Sequence, residues 1–133
     1  MFLLIEETSA GLFKRDRKTI RFENGLDRGT DIWVHCKSGD RDIGEHKLKN
    51  GEVVEWSFKP SFWGVTLYYC YVAWWGEDGK WTAAFDIYGG DAPDIYKRSC
   101  LYWSARREGI CFSNSNTCQN EILWFPYYNY VKG

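Results

Sequence analysis

No stretch of the sequence is apolar for long enough to cross a bilayer as a helix, which takes roughly 20 residues, so no membrane insertion is expected. Phe2-Leu3-Leu4-Ile5 is too short for a secretory signal and lacks its charged start. It fits a remnant of such a signal, a tag junction or a true mature start. Charge of one sign is also missing: 17 basic residues meet 18 acidic ones, for a net charge of −1. That excludes the broad basic field on which nucleic-acid binding depends. The run Lys14-Arg15-Asp16-Arg17-Lys18 is broken by an acid and reads as a solvated segment.

Chemistry-bearing patterns are equally scarce. There is no C-x-x-C pair and no histidine ladder at zinc spacing, so no metal site is expected. No serine sits in a G-x-S-x-G elbow, and no glycine-rich phosphate loop opens a helix. His35 and Cys36 are neighbours in a predicted strand, so they point to opposite faces and cannot act as base and nucleophile together. The one polar cluster that could do acid–base work is Asp40, Asp42, Glu45, His35 and His46. Its plainer reading is a turn between strands, with His46 facing outward or bonded to a carbonyl. No standard N-x-S/T sequon occurs; Asn116-Thr117-Cys118 is the rare cysteine form. Catalysis and a cofactor are therefore not expected.

What the chain does have is aromatic residues: 8 Trp, 9 Tyr and 8 Phe, or 19%. Such residues suit a pleated, half-buried surface. No segment of ten or more residues has helical periodicity, whereas short apolar segments alternate with turn signals throughout. Strands are predicted at 19–22, 31–36, 45–48, 53–58, 66–75, 81–88, 101–106 and 110–112. Asn24-Gly25 and Asn50-Gly51 supply turn chemistry. The run from Thr66 to Trp75 is continuously apolar, which predicts a strand buried on both faces or a central strand beside another chain or ligand. Pro126 argues against a central strand in the aromatic tail. The pattern predicts an all-β fold, a small antiparallel β-sandwich over residues 18–133, preceded by a flexible arm over 1–17.

Five scattered cysteines, Cys36, Cys70, Cys100, Cys111 and Cys118, read as a disulfide framework from an oxidising compartment. The alternative is a reduced protein with buried thiols. The odd count leaves one cysteine for a bridge between chains. The tryptophans raise a separate hypothesis. Trp63, Trp74, Trp75, Trp81 and Trp124 are numerous for one core, and outward-facing rings such as Trp75 or Trp81 could stack on sugars or anchor an interface.

The ordered segments also resemble a known family. Val34-His35-Cys36-Lys37-Ser38, Asp42-Ile43-Gly44 with His46, Glu55-Trp56-Ser57-Phe58, Thr66-Leu67-Tyr68-Tyr69-Cys70, Phe85-Asp86-Ile87-Tyr88, Trp103 and Glu108-Gly109-Ile110 follow the pattern of the plant self-incompatibility proteins, or S-protein homologues, over residues 18–112. The resemblance implies a secreted, extracellular β-sandwich with two disulfides, no enzymatic activity and no cofactor. In the poppy members it implies a stigma-secreted ligand recognised by a pollen membrane protein, triggering calcium signalling and arrest. Ile43 stands where leucine is usual, and Glu108 where aspartate is common. Only Cys100 precedes Trp103, where the family often has two cysteines. Cys36, Cys70, Cys100 and Cys111 are accordingly the bridging candidates, with three pairings open. A Cys111–Cys118 loop stays open as well. The expected state is a monomer, or a dimer bridged through Cys118.

The resulting expectation is a secreted signalling ligand that meets a cell-surface protein receptor through loops on a rigid sandwich. The candidate loop residues are Asp40, Arg41 and Asp42, then Glu77 and Asp78, then Asp91 and Asp94. The alternative is a secreted carbohydrate-binding module using exposed Trp or Tyr.

Overall fold

Apolar residues recur at every second position in most segments, and the strands use that period to turn one face inward. Val54, Trp56 and Phe58 point into the core while Glu55 faces solvent. Ile32, Val34 and Cys36 do the same in the preceding inner strand. The structure, a computed structural model, describes residues 17–61, 66–93, 99–113 and 122–130. Trp63, Asp94, Cys118, the Asn116 sequon and nearly all of the predicted arm lie outside the described residues, as does the side chain of Trp124.

Among the described residues the strands are β1 (Lys18–Asn24), β2 (Ile32–Lys37), β3 (Asp42–Leu48), β4 (Val53–Phe58), β5 (Tyr68–Gly76), β6 (Gly79–Tyr88), β7 (Cys100–Arg106), β8 (Gly109–Ser113), β9 (Ile122–Phe125) and β10 (Tyr128–Tyr130). They form two five-stranded sheets, ordered β9-β8-β7-β1-β4 and β10-β6-β5-β2-β3. Every pairing is antiparallel except β1 with β7, which run parallel. Parallel neighbours need a long connection, and β2, β3, β5 and β6 of the opposite sheet lie between these two in sequence. Pro126 falls between β9 and β10, where the chain passes from the edge of one sheet to the edge of the other.

Aromatic rings fill the space between the sheets. Phe85 of the second sheet lies 6.3 Å from Phe22 and 5.9 Å from Trp103 of the first, centroid to centroid. Tyr68 meets Phe58 at 4.7 Å and Trp56 at 5.7 Å. Trp103 is only 1% exposed. Burying each such side chain contributes about 1.5–3 kcal/mol.

A buried polar group closes the end of β1. Asn24 is fully buried, and its amide donates to the carbonyls of Thr30 (2.8 Å) and Leu48 (2.9 Å). Its Oδ1 accepts the Leu26 N–H at 2.9 Å. One side chain thus joins the β1–β2 connection to the end of β3.

Four expectations need correction. β5 is not buried on both faces: Tyr69, Tyr71 and Trp75 face outward, and tyrosine, apolar in body with a polar tip, concealed that alternation. Trp81 does not face outward, because its register partner is the inward Trp74, and the two rings stack at 5.7 Å. β3 begins at Asp42 rather than Glu45, so Asp42 belongs to a strand and not to a loop. The fourth concerns the cysteines. Cys36 is bonded to Cys70. Cys100 and Cys111 are not joined to each other, because the register sets Cys111 opposite Ser104, four residues along β7 from Cys100. That offset is about 13 Å, well beyond the Cα separation a disulfide spans.

Candidate interaction site at one end of the sandwich

The ends of β2, β4 and β6 and the starts of β1, β5 and β7 lie together, because Lys18 pairs with Phe58, Lys37 with Tyr69, Thr19 with Cys100 and Tyr68 with Tyr88. The connections that leave this end build an open groove of about 1010 Å³. Its rim is Ser38–Arg41 from the β2–β3 turn and Ser57–Lys59 from the end of β4; Thr66–Tyr69 enters from the start of β5, with Arg17 beside them.

The β2–β3 turn is held by its own bonds. The Ser38 N–H donates to the Arg41 carbonyl at 2.7 Å, and the Ser38 hydroxyl donates to Asp40 at 3.0 Å. Arg41 reaches across to the other sheet, where Nη1 donates to the Ser57 carbonyl at 2.8 Å. The Ser61 N–H donates to the Thr66 hydroxyl at 2.6 Å. Among the lining residues Arg17, Arg41 and Lys59 are cationic and Asp40 is the acid, while Phe58, Leu67 and Tyr69 add apolar surface. The groove is therefore electropositive in a molecule whose total charge is nearly balanced.

The structure divides the candidate loop residues between both ends. Asp40 and Arg41 line the groove. Asp91 lies at the same end, in the connection after β6, where its N–H donates to Asp86 at 2.9 Å, but it does not line the groove. Glu77 and Asp78 form the β5–β6 turn at the opposite end, where Asp78 accepts the Trp81 indole N–H at 3.0 Å. Asp94 lies outside the described residues. Lys59, Arg17, Leu67 and Tyr69 were not legible as groove residues, since their convergence depends on how the two sheets meet.

The polar cluster resolves into two local arrangements. His35 Nε2 donates to Asp42 Oδ1 at 2.6 Å, and the Gly44 N–H donates to the same oxygen at 2.8 Å. The His35 bond, aided by Gly44, holds the Asp42 carboxyl below its ordinary value of 3.8. His46 donates to the Ile43 carbonyl at 3.1 Å. Neither His35 nor Asp42 lines the groove; both stand on the outer face of the second sheet. Among the described residues no three His, Cys, Asp or Glu side chains are grouped to hold a metal ion, and no helix is long and apolar enough to cross a membrane.

Comparison with known proteins places this geometry in context. Residues 19–124 match the family model for plant self-incompatibility protein S1. S-protein homolog 2 of Arabidopsis thaliana is 34% identical over 119 residues, covering 85% of this chain and 70% of the relative. S-protein homolog 8 of the same plant is 31% identical over 127 residues, covering 92% and 95%. A solved structure of an SPH (Self-Incompatibility Protein Homologue) protein, from a family described as widespread, small, highly stable, secreted proteins from plants, superposes with a TM-score of 0.58 at 16% identity. It covers 86% of this chain and 96% of that one, and at that identity the likeness concerns the fold.

Proposed function

The chain belongs to the plant self-incompatibility protein S1 family, and on that footing we propose that it is a secreted signalling ligand that binds a cell-surface protein receptor through the groove end of the sandwich. The observation that carries this reading is the electropositive groove, where Arg17, Arg41 and Lys59 surround a single Asp40 on loop-built walls. An open trough of about 1010 Å³ suits a peptide segment better than a small molecule, whose sites are enclosed and predominantly apolar. Cationic rims steer an acidic partner and suppress wrong ones. Connections tolerate sequence change while the core holds them in place, as a recognition surface requires. The Cys36–Cys70 bridge supports an oxidising compartment. Binding rather than catalysis is the activity we assign.

The test is binding of labelled, oxidised protein to plant protoplasts and pollen tubes, with and without protease treatment of the cells. Saturable binding should be lost after protease. It should also fall at least tenfold in a Lys59→Glu, Arg17→Glu double variant of unchanged melting temperature. Full binding by that variant would remove the groove from the interface, and binding that survives protease would remove the protein receptor.

A further inference from the structure

The outer face of the second sheet carries aromatic rings that the groove reading leaves largely unused. Strand alternation puts Tyr69, Tyr71, Ala73 and Trp75 of β5 on this face. Register sets Lys37, His35 and Trp33 of β2 beside the first three, and Thr82 and Lys80 of β6 beside Ala73 and Trp75. Trp75 is 53% exposed, Tyr71 44% and Tyr69 39%, with Tyr128 of β10 at 69%. Ala73 and Thr82, which by register belong to the same outer face, are nonetheless buried. The rings around them stand high enough to shade them, which makes a shallow trough with a small-residue floor and aromatic walls. Trp33 packs edge-on against Trp75 at 4.9 Å and fixes the orientation of that wall.

Cations accompany the rings. Lys37 Nζ lies 5.8 Å from the Tyr69 ring centroid and Lys80 Nζ 5.1 Å from that of Trp75. Lys47 sits 5.2 Å from Trp33 but also pairs with Asp31 at 3.6 Å. The nearby acids are mostly engaged within the protein: Asp42 by His35 and Gly44, and Asp86 by the Asp91 N–H. Glu45 stands on the edge strand, beyond His35. Lys37 stands opposite Asp42 in the register and acts on its charge from a distance, but neither Lys37 nor Lys80 forms a contact ion pair among the described residues.

We propose that this face binds an acidic polysaccharide, with the rings of a uronic-acid chain stacked on Tyr71 and Trp75 and their carboxylates met by Lys37 and Lys80. A pyranose ring presents a face of C–H groups, which packs against the negative face of an aromatic ring. A uronate adds one carboxylate per ring, and Lys37 beside Tyr69 and Lys80 beside Trp75 supply complementary charge at the two ends of the row. Tyr69, Tyr71 and Trp75 are spread over about 20 Å of one strand at roughly 3.4 Å per residue, so the ligand is a chain and not a single sugar. The site is separate from the receptor groove except at Tyr69, and it would hold the protein in a pectin-like matrix.

The experiment measures retention of the full oxidised chain on immobilised polygalacturonate and on an immobilised neutral β-glucan at physiological ionic strength. Retention on polygalacturonate alone is expected, reduced at least tenfold by Trp75→Ala and by Tyr71→Ala, and severalfold by Lys80→Gln. Tyr71→Phe, which keeps the ring, should be retained like the parent, and so should the Lys59→Glu, Arg17→Glu groove variant. Melting temperatures of all variants check the fold, and Tyr71→Phe set against Lys80→Gln decides the matter should an alanine variant unfold. No retention, equal retention on the neutral glucan, or loss with the groove variant but not with Trp75→Ala would each overturn the proposal. So would a concentration-dependent dimer that Trp75→Ala abolishes without any polysaccharide binding, which assigns the face to a second copy.

Discussion

Cys36 and Cys70 are direct register partners on the neighbouring strands β2 and β5, with Cα atoms 4.0 Å apart and both side chains 2% exposed. The bridge therefore clamps two central strands of the second sheet rather than tying the two sheets together. It closes a loop with a sequence separation of 34 that contains β3 and β4. Cross-linking over a loop of that size restricts the unfolded chain, and losing a native bridge of this kind costs about 2–5 kcal/mol. A Cys36→Ser, Cys70→Ser double variant should melt well below the parent in a thermal scan monitored by near-ultraviolet circular dichroism. An unchanged midpoint would show that strand pairing alone carries this part of the sheet.

Asn24 offers a second test, independent of sulfur chemistry. Its side chain makes three hydrogen bonds to backbone groups of Leu26, Thr30 and Leu48. Asn24→Ala removes all three and leaves two carbonyls and an N–H to find other partners. Each buried partner left unmade costs about 1–3 kcal/mol. Asn24→Asp keeps the acceptor for Leu26 but sets a carboxylate against the two carbonyls, so it should be no better than alanine. Urea titration of both variants against the parent checks this, and a midpoint shift for either one of less than the error of the measurement would contradict the assigned role.

The same residue shows where sequence reading stopped. Asn24-Gly25 reads as turn chemistry, and a turn does follow; that the asparagine is buried and stitches three segments together depends on β3 ending beside it. The strands and their hairpins were legible because period-two alternation survives in Ile20-Phe22, Val34-Cys36 and Trp56-Phe58. The β5–β6 and β7–β8 hairpins were legible because Glu77-Asp78-Gly79 and Glu108-Gly109 mark their turns. The parallel pairing of β1 with β7 carries no local signal, since it joins strands that are distant in sequence. The inward face of Trp81, by contrast, has a local signal, since it shares its parity with the buried Ala83, Phe85 and Ile87 of the same strand and pairs with the inward Trp74. The groove was half legible. Asp40 and Arg41 stood out as a polar turn, whereas Arg17, Lys59 and Leu67 reach the same place only through the folding of both sheets.

Gly89 fixes the connection that carries Asp91. Its φ is +78°, and a Cβ there would lie 2.3 Å from the Thr66 carbonyl oxygen, at the entrance of β5 and on the groove wall. A backbone atom cannot swing aside as a side-chain end can. Gly89→Ala should destabilise the protein by about 1–3 kcal/mol through the left-handed conformation alone, with the clash adding to it. Amide exchange should quicken near Thr66 and Asp91 before it does in β1 or β7. Uniform exchange across the molecule, or a parent-like melting temperature, would mean that this connection adjusts freely.

The His35–Asp42 pair predicts an acid response with a definite sign. Asp42 is held below its ordinary value of 3.8, first by the His35 hydrogen bond and then by the Gly44 N–H. A carboxyl whose folded value is depressed contributes stability that is fully present above its unfolded value and is lost as pH falls through the folded one. Asp42→Asn should therefore lower the melting temperature slightly at pH values above 3.8. That difference should shrink as both proteins are taken below it. The effect is small because both groups are open to solvent, where screening weakens such pairs. Carbon-13 titration of the Asp42 carboxyl gives the direct measurement. A midpoint below 3.8 that moves upward in His35→Ala supports the pair as drawn. A midpoint at the ordinary value, unchanged by that substitution, would mean that the contact does not persist in solution.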